Sequence, residues 1–307
     1  MGKQHDVLDL NLNPPCVLPV FQALSHLSLR RFSLVWTVGS FLVLFSTVAL
    51  LMWQYPELQK RKILWLLLSV PAFDTLIGGE LYFALFFLSA LTLVFVERDH
   101  KWAAAIAIGL LVAIKPTTTF WPVFLYLAGR RRIALRSLGV TLAVSTLPVL
   151  YYGPSIYREW FAALGNDPHW VFPTNIAIPA LFARLGLRFV GFGLAGILAG
   201  VLAWSVWKAK PAFATASGVA LCATILCPPL AWVSYTLMVA QYFVSRRWKL
   251  SSHVAAALLL VPSTVPMGMG SWPGRIWILL ASGIYLMAIG IILAGFLSRE
   301  ERKLIES

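Results

Sequence analysis

Residues 103–126 read AAAIAIGLLVAIKPTTTFWPVFLY. The stretch is apolar enough for a membrane helix, yet Lys115 sits inside it with Pro116 directly after. A lysine at bilayer depth costs roughly 2.5–3.5 kcal/mol on insertion scales, so it faces a cavity or an anionic partner. The proline removes a donor from the helix ladder. Lipid cannot satisfy the freed backbone groups, so protein or water must surround the break. Two readings stand open from position alone. Lys115 is a functional cation at a broken helix, or it snorkels to the interface from a short one.

The rest of the chain supports a membrane setting. It has 307 residues, 59% hydrophobic and 12% charged, with mean hydropathy +0.79. Soluble domains carry about 25% charged residues. Apolar runs fall at about 33–53, 63–77, 81–96, 103–114, 117–128, 134–152, 188–206, 211–227, 230–245, 252–266 and 274–297. They lack the short alternating segments of an outer-membrane barrel. A helix crosses squarely with about 20 residues, so the shorter runs are half-helices or re-entrant segments. The expected fold is all-α, a polytopic transmembrane bundle with about 9–11 membrane segments, forming one integral membrane domain over residues 1–307.

The net charge of +13 suggests nucleic acid at first sight, but its distribution excludes that partner. The connections after the first, third, fifth, seventh and ninth apolar runs, together with the C-terminal tail, hold 17 of the 25 Lys and Arg. They include Lys60–Lys62, Arg130–Arg132 and Arg246–Lys249. Every second loop is basic, as the positive-inside rule requires. The tail 298–307 is therefore expected in the cytoplasm. Residues 1–31 and the loop 153–187 are expected outside. A polar N-terminal segment outside, with no signal before it, suggests a preceding helix. Cys16, Cys222 and Cys227 have no metal-binding spacing and read as small packing residues. No cofactor or metal is expected.

The outward connections carry Asp74, Glu80, Arg158, Glu159, Asp167, His169, Asn175, Arg184, Arg188 and Arg275. Asp74 and Glu80 flank Gly78-Gly79. Two carboxylates there serve as a base or hold a divalent ion, or they simply solvate a short loop. The loop 153–187 combines Tyr157, Arg158 and Trp160 with His169 and Trp170. This mixture fits a segment in the headgroup layer, either binding a lipid-linked substrate or anchoring the chain.

Several short patterns occur together in a recognisable order. Asn13-Pro14-Pro15 precedes Val-Leu-Pro, and Gly79-Glu80-Leu81-Tyr82 follows. Ala113-Ile114-Lys115-Pro116 then leads to Arg130-Arg131-Arg132. Asn175 has Arg184 nine residues on, and Pro229-Leu230-Ala231-Trp232 closes the set. Over residues 8–245 this order resembles glycosyltransferase family 87, membrane transferases of GT-C fold that use polyprenyl-phosphate sugars. The resemblance implies transfer of a hexose, mannose among the candidates, from a polyprenyl phosphate donor to a glycan or glycolipid acceptor outside the cell membrane, with inversion at the anomeric carbon. It implies donor-phosphate binding by Lys115 and Arg184, with Arg275 a further candidate. Asp74, Glu80, Tyr82, Asn175 and Trp232 are expected to line the site. Trp160, Trp170 and Trp232 offer faces for sugar stacking or for interfacial anchoring.

The chain also departs from the family pattern. The family's catalytic base is an outer-loop Asp lying before the Pro-Pro pair, after a first helix. Pro14 leaves no room for either, and Asp6 and Asp9 lie in the wrong part of the loop. The catalytic residue is thus unassigned. Glu80 stands for a Gln, Tyr82 for an Asn, Ala231 for a Ser, and Ser234-Tyr235 where a His is usual. Truncation, a changed substrate and inactivity are all compatible with these changes. A secondary transporter or lipid carrier using Lys115 and Glu80 is the alternative reading, although the sequence shows no internal repeat.

Overall fold

The computed structural model describes residues 13–165, 172, 174–262 and 275–298. Asp6, Asp9, Asp167, His169, Trp170, the side chain of Arg275 and residues 299–307 lie outside the described residues. The described chain is helical throughout. Its α-helices are α1 (Leu18–Ser25), α2 (Leu29–Gln54), α3 (Lys60–Leu68), α4 (Val70–Gly78), α5 (Tyr82–Glu97), α6 (Lys101–Ile114), α7 (Phe120–Leu127), α8 (Arg131–Tyr152), α9 (Ser155–Gly165), α10 (Ile178–Arg184), α11 (Arg188–Ala209), α12 (Phe213–Leu226), α13 (Leu237–Val244), α14 (Leu250–Leu258) and α15 (Arg275–Leu297).

Among the described residues each expected apolar run falls largely on helix, and three helices there are long and apolar enough to cross a membrane: α2, α8 and α11. Their outer faces stay apolar and exposed, with Leu34 and Leu42 on α2, Leu142 and Leu150 on α8, and Ile197 and Val201 on α11. Apolar patches of that extent need lipid or another apolar cover. The helices they enclose are shorter. α12 is buried on every face, the mark of a helix at the centre of a bundle. It receives the indole N–H of Trp121 on Ser217 Oγ at 2.9 Å.

Small residues allow close approach where no hydrophobic drive exists between helices. At Gly109 on α6, a Cβ would come within 2.6 Å of Val140 Cβ and 2.7 Å of the Ser137 carbonyl on α8. Thr141 closes that seam by donating to the Gly109 carbonyl at 3.1 Å.

The run 63–77 is not one segment. Ser69 is extended (φ −67°, ψ 145°) and separates α3 from α4. Pro71 sits in the first turn of α4, where its missing N–H is one of the helix's unused donors. The Val70 N–H that the break frees donates to the Leu259 carbonyl at 3.0 Å.

Long-range contacts sort the connections onto two ends. At one end Tyr55 donates to Glu97 and Arg98 to Gln54. Lys62 donates to the Val244 carbonyl at 2.9 Å, Lys210 to the Leu127 carbonyl at 2.6 Å, and Arg246 to Thr215 at 2.9 Å. The basic loops therefore share that end. The Lys115-Pro116 break, the Gly78-Gly79 turn and the segments around 175 and 232 gather at the other.

Candidate active site

Helix α6 stops at Ile114, and Lys115 adopts a non-helical backbone (φ −136°, ψ 84°). Pro116 opens a 3₁₀ turn over Pro116–Thr119 that leads into α7. Protein groups satisfy the break. The Thr118 N–H and hydroxyl both donate to the Lys115 carbonyl, at 2.9 and 2.7 Å. Cys16 Sγ donates to the Ala113 carbonyl at 3.1 Å. The half-buried Lys115 side chain carries its ammonium over the Tyr235 ring, 4.4 Å from the centroid, and 5.6 Å from that of Tyr82. The two rings lie 4.9 Å apart. Among the described residues Lys115 makes no ion pair.

Glu80 faces the same space from a different element. α4 ends on Gly79 in the left-handed region (φ 62°), the conformation glycine adopts without penalty. The Glu80 N–H caps the helix by donating to the Thr75 carbonyl at 3.2 Å. A Cβ at Gly79 would only touch the Trp36 indole, 3.6 Å from its Nε1, so the positive φ is what selects glycine there. Ser234 donates its hydroxyl to Glu80 Oε2 at 2.8 Å. Glu80 lies in the connection outside the spanning helices, and burial pushes its carboxyl above the usual range. The Ser234 hydrogen bond and the Lys115 charge oppose that shift, and Asp74 adds to it.

A cavity of about 350 Å³ is lined by Asn13, Phe21, Gly78, Gly79, Glu80, Leu81, Tyr82, Leu85, Ile114, Lys115, Leu230 and Trp232. Lys115 is the one cation and Glu80 the one carboxylate among these residues. Beside it runs an apolar groove of about 200 Å³ between α2 and α5. Its walls include Val35, Trp36, Gly39, Val43, Phe83 and Ala84, and it shares Glu80 and Leu81 with the cavity. At this seam Trp36 Nε1 is buried with no hydrogen-bond partner among the described residues. A cation and a carboxylate therefore line one chamber, and an apolar groove adjoins it at Glu80 and Leu81.

The structure brings Lys115, Glu80, Tyr82 and Trp232 together at this chamber. Asn175, Arg184 and Asp74 are not among its lining residues. Asn175 is fully buried and stitches two distant segments. Its amide donates to the Pro229 carbonyl at 2.8 Å, and its Oδ1 accepts from Ala231 N at 3.0 Å and Ala177 N at 3.2 Å. An isolated bridge pairs it with Trp232. This stitch fixes the segment from which Trp232, Ser234 and Tyr235 reach the chamber. The Arg184 guanidinium donates to the carbonyls of Phe172 at 2.6 Å and Asn175 at 3.2 Å, and to Ser282 Oγ at 2.6 Å. It clasps α10 and the Asn175 segment to α15. Arg184 lies at the end of the short helix of the 153–187 connection, and burial lowers its pKa to about 10.

Ser234 and Tyr235 are the site residues that sequence reasoning left without a role. Their signal was their position just after Pro229-Leu230-Ala231-Trp232, where they departed from the resembled pattern. In space those departures pair with the others, Ser234 with Glu80 and Tyr235 with Tyr82.

The family model for glycosyltransferase family 87 matches residues 11–229, more than two thirds of the chain. The match takes in Glu80, Tyr82, Lys115, Asn175 and Arg184 and ends just before the turn that supplies Trp232, Ser234 and Tyr235. No curated protein and no solved structure matches the chain. With its helical bundle of apolar spans and a family match of that extent, the chain belongs to glycosyltransferase family 87.

Proposed function

We propose that this membrane glycosyltransferase moves a hexose, with mannose the first candidate, from a polyprenyl phosphate to a hydroxyl of a glycan or glycolipid. We further propose that it works on the extracytoplasmic side of the cell membrane, as one integral membrane domain with its C-terminal tail in the cytoplasm. One observation carries the reading. Lys115 makes no ion pair among the described residues, and it lines a polar cavity that shares Glu80 and Leu81 with an apolar groove. That amphipathic pair of spaces suits a lipid phosphate, with its chain in the groove between α2 and α5 and its anionic head at Lys115. During transfer the bond from the anomeric carbon to the phosphate oxygen breaks, and negative charge collects on the departing phosphate. A fixed cation stabilises that charge more than it stabilises the ground state. The basic loops share the opposite end of the bundle from this cavity, which supports an outward-facing site under the positive-inside rule.

The test is transfer itself. The full chain in membrane vesicles is supplied with polyprenyl-phosphate [¹⁴C]mannose and, separately, with the glucose analogue. The expected result is release of polyprenyl phosphate with label appearing in membrane glycan or glycolipid. A donor that stays intact with both sugars contradicts the proposal.

A further inference from the structure

Two opposite charges line one cavity, yet they do not pair. Lys115 lies against the Tyr235 and Tyr82 rings, and Glu80 accepts its hydrogen bond from Ser234 through Oε2. An ion pair would have consumed both groups. Their separation leaves the ammonium open for an anion, and it leaves Glu80 Oε1 without a hydrogen bond among the described residues. Glu80 is also the one carboxylate among the cavity's lining residues. Its position is fixed from both sides, by the left-handed turn at Gly79 and by the 3₁₀ turn over Val233–Thr236 that carries Ser234.

We propose that Glu80 is the general base of the transfer, taking the proton of the acceptor hydroxyl on Oε1 while Ser234 holds Oε2. The inference rests on the donor reading given above. The acceptor oxygen forms a bond to the anomeric carbon with the electron pair of its O–H bond, and its proton passes to Glu80. The bond from that carbon to the phosphate oxygen breaks, its pair remains on the polyprenyl phosphate, and the new charge faces Lys115. Carboxylate and cation thus serve the two oxygens that gain and lose the sugar.

The surroundings suit a base. Burial raises the Glu80 pKa, and a base poised nearer the working pH accepts a proton more effectively. The groups acting on it are Lys115 and Ser234, which lower the pKa, and Asp74, which raises it. Tyr82 lines the same cavity as Glu80.

The experiment compares the full-length wild type with Glu80→Gln and Ser234→Ala in the vesicle assay, across pH, with binding of polyprenyl phosphate measured in parallel. Gln keeps the shape and can still accept from Ser234. The expected result is a fall in transfer of about 10²–10⁴-fold in Glu80→Gln, the usual contribution of a positioned base, with polyprenyl phosphate binding unchanged. The rising acidic limb of the rate profile should vanish in Glu80→Gln and move to higher pH in Ser234→Ala, because the lost hydrogen bond had lowered the Glu80 pKa. Transfer by Glu80→Gln within threefold of wild type overturns the base role and leaves the donor reading standing. An Asp74→Asn variant that loses the acidic limb while Glu80→Gln keeps it moves the role to Asp74 and overturns this one. A wild type that binds polyprenyl phosphate but transfers from neither sugar donor fails at the underlying reading, and the base role falls with it.

Discussion

Replacing Lys115 by Met removes the charge and keeps most of the stem. The structure sets the size of two separate effects. For the fold, the ammonium makes cation–π contacts at 4.4 and 5.6 Å and no ion pair among the described residues. Cation–π contacts of this kind contribute about 0.5–2 kcal/mol. Met packs well against aromatic rings and recovers part of that, so the net loss should be about 1 kcal/mol. Breaking a buried ion pair would instead cost roughly 3–5 kcal/mol. For the ligand, a charge-assisted hydrogen bond to phosphate contributes about 1.5–3 kcal/mol. That corresponds to about a 10- to 150-fold weaker Kd. Both quantities can be read on one preparation in zwitterionic nanodiscs, by thermal melting and by titration with a short-chain polyprenyl phosphate. A folded Lys115→Met protein whose Kd stays within threefold of wild type refutes the phosphate role. A stability loss of 3–5 kcal/mol refutes the claim that Lys115 is free of a protein anion.

Asn175→Leu should lower stability by about 2–6 kcal/mol, because it strands the buried N–H groups of Ala231 and Ala177, at about 1–3 kcal/mol each, and also releases the more exposed Pro229 carbonyl; an unchanged melting curve would contradict the stitch. Arg184→Lys keeps the charge but loses the planar fork, so melting should fall while polyprenyl phosphate affinity holds; loss of affinity at unchanged melting would assign Arg184 to the phosphate instead. A reporter fused after Ser298 should be active in the cytoplasm, and activity only outside would reverse the topology and the side of the site.

The membrane bundle and the break at Lys115 were legible because their signals are local. Apolar length, a lysine followed by proline, and Gly78-Gly79 can each be read within a few residues. The charge alternation was legible as well, and contacts such as Lys62 to Val244 gather the basic loops at one end. What stayed hidden depends on residues far apart in the chain. Nothing near Lys115 announces Tyr235, 120 residues later, and nothing near Glu80 announces Ser234. Asn175 and Arg184 were read as site residues because their nine-residue spacing resembled a pattern of the family. Apart from Ser282 Oγ on Arg184, their partners are backbone carbonyls and N–H groups made neighbours by the fold, and backbone groups leave no mark in a sequence. The split of the run 63–77 was masked by the apolar residues on both sides of Ser69, with Ser69 and Pro71 the local hints.

The most direct test of the account uses a polyprenyl phosphate carrying a photoreactive group near the head of its chain, cross-linked to the full-length protein in vesicles and mapped by peptide mass spectrometry. The adducts are predicted on α2 between Val35 and Val43 and on α5 between Leu81 and Ala84, the walls of the groove beside Lys115, and excess unlabelled polyprenyl phosphate should suppress them. Suppressible labelling confined to other helices, such as α8 or α11, would contradict a lipid phosphate at the Lys115 cavity.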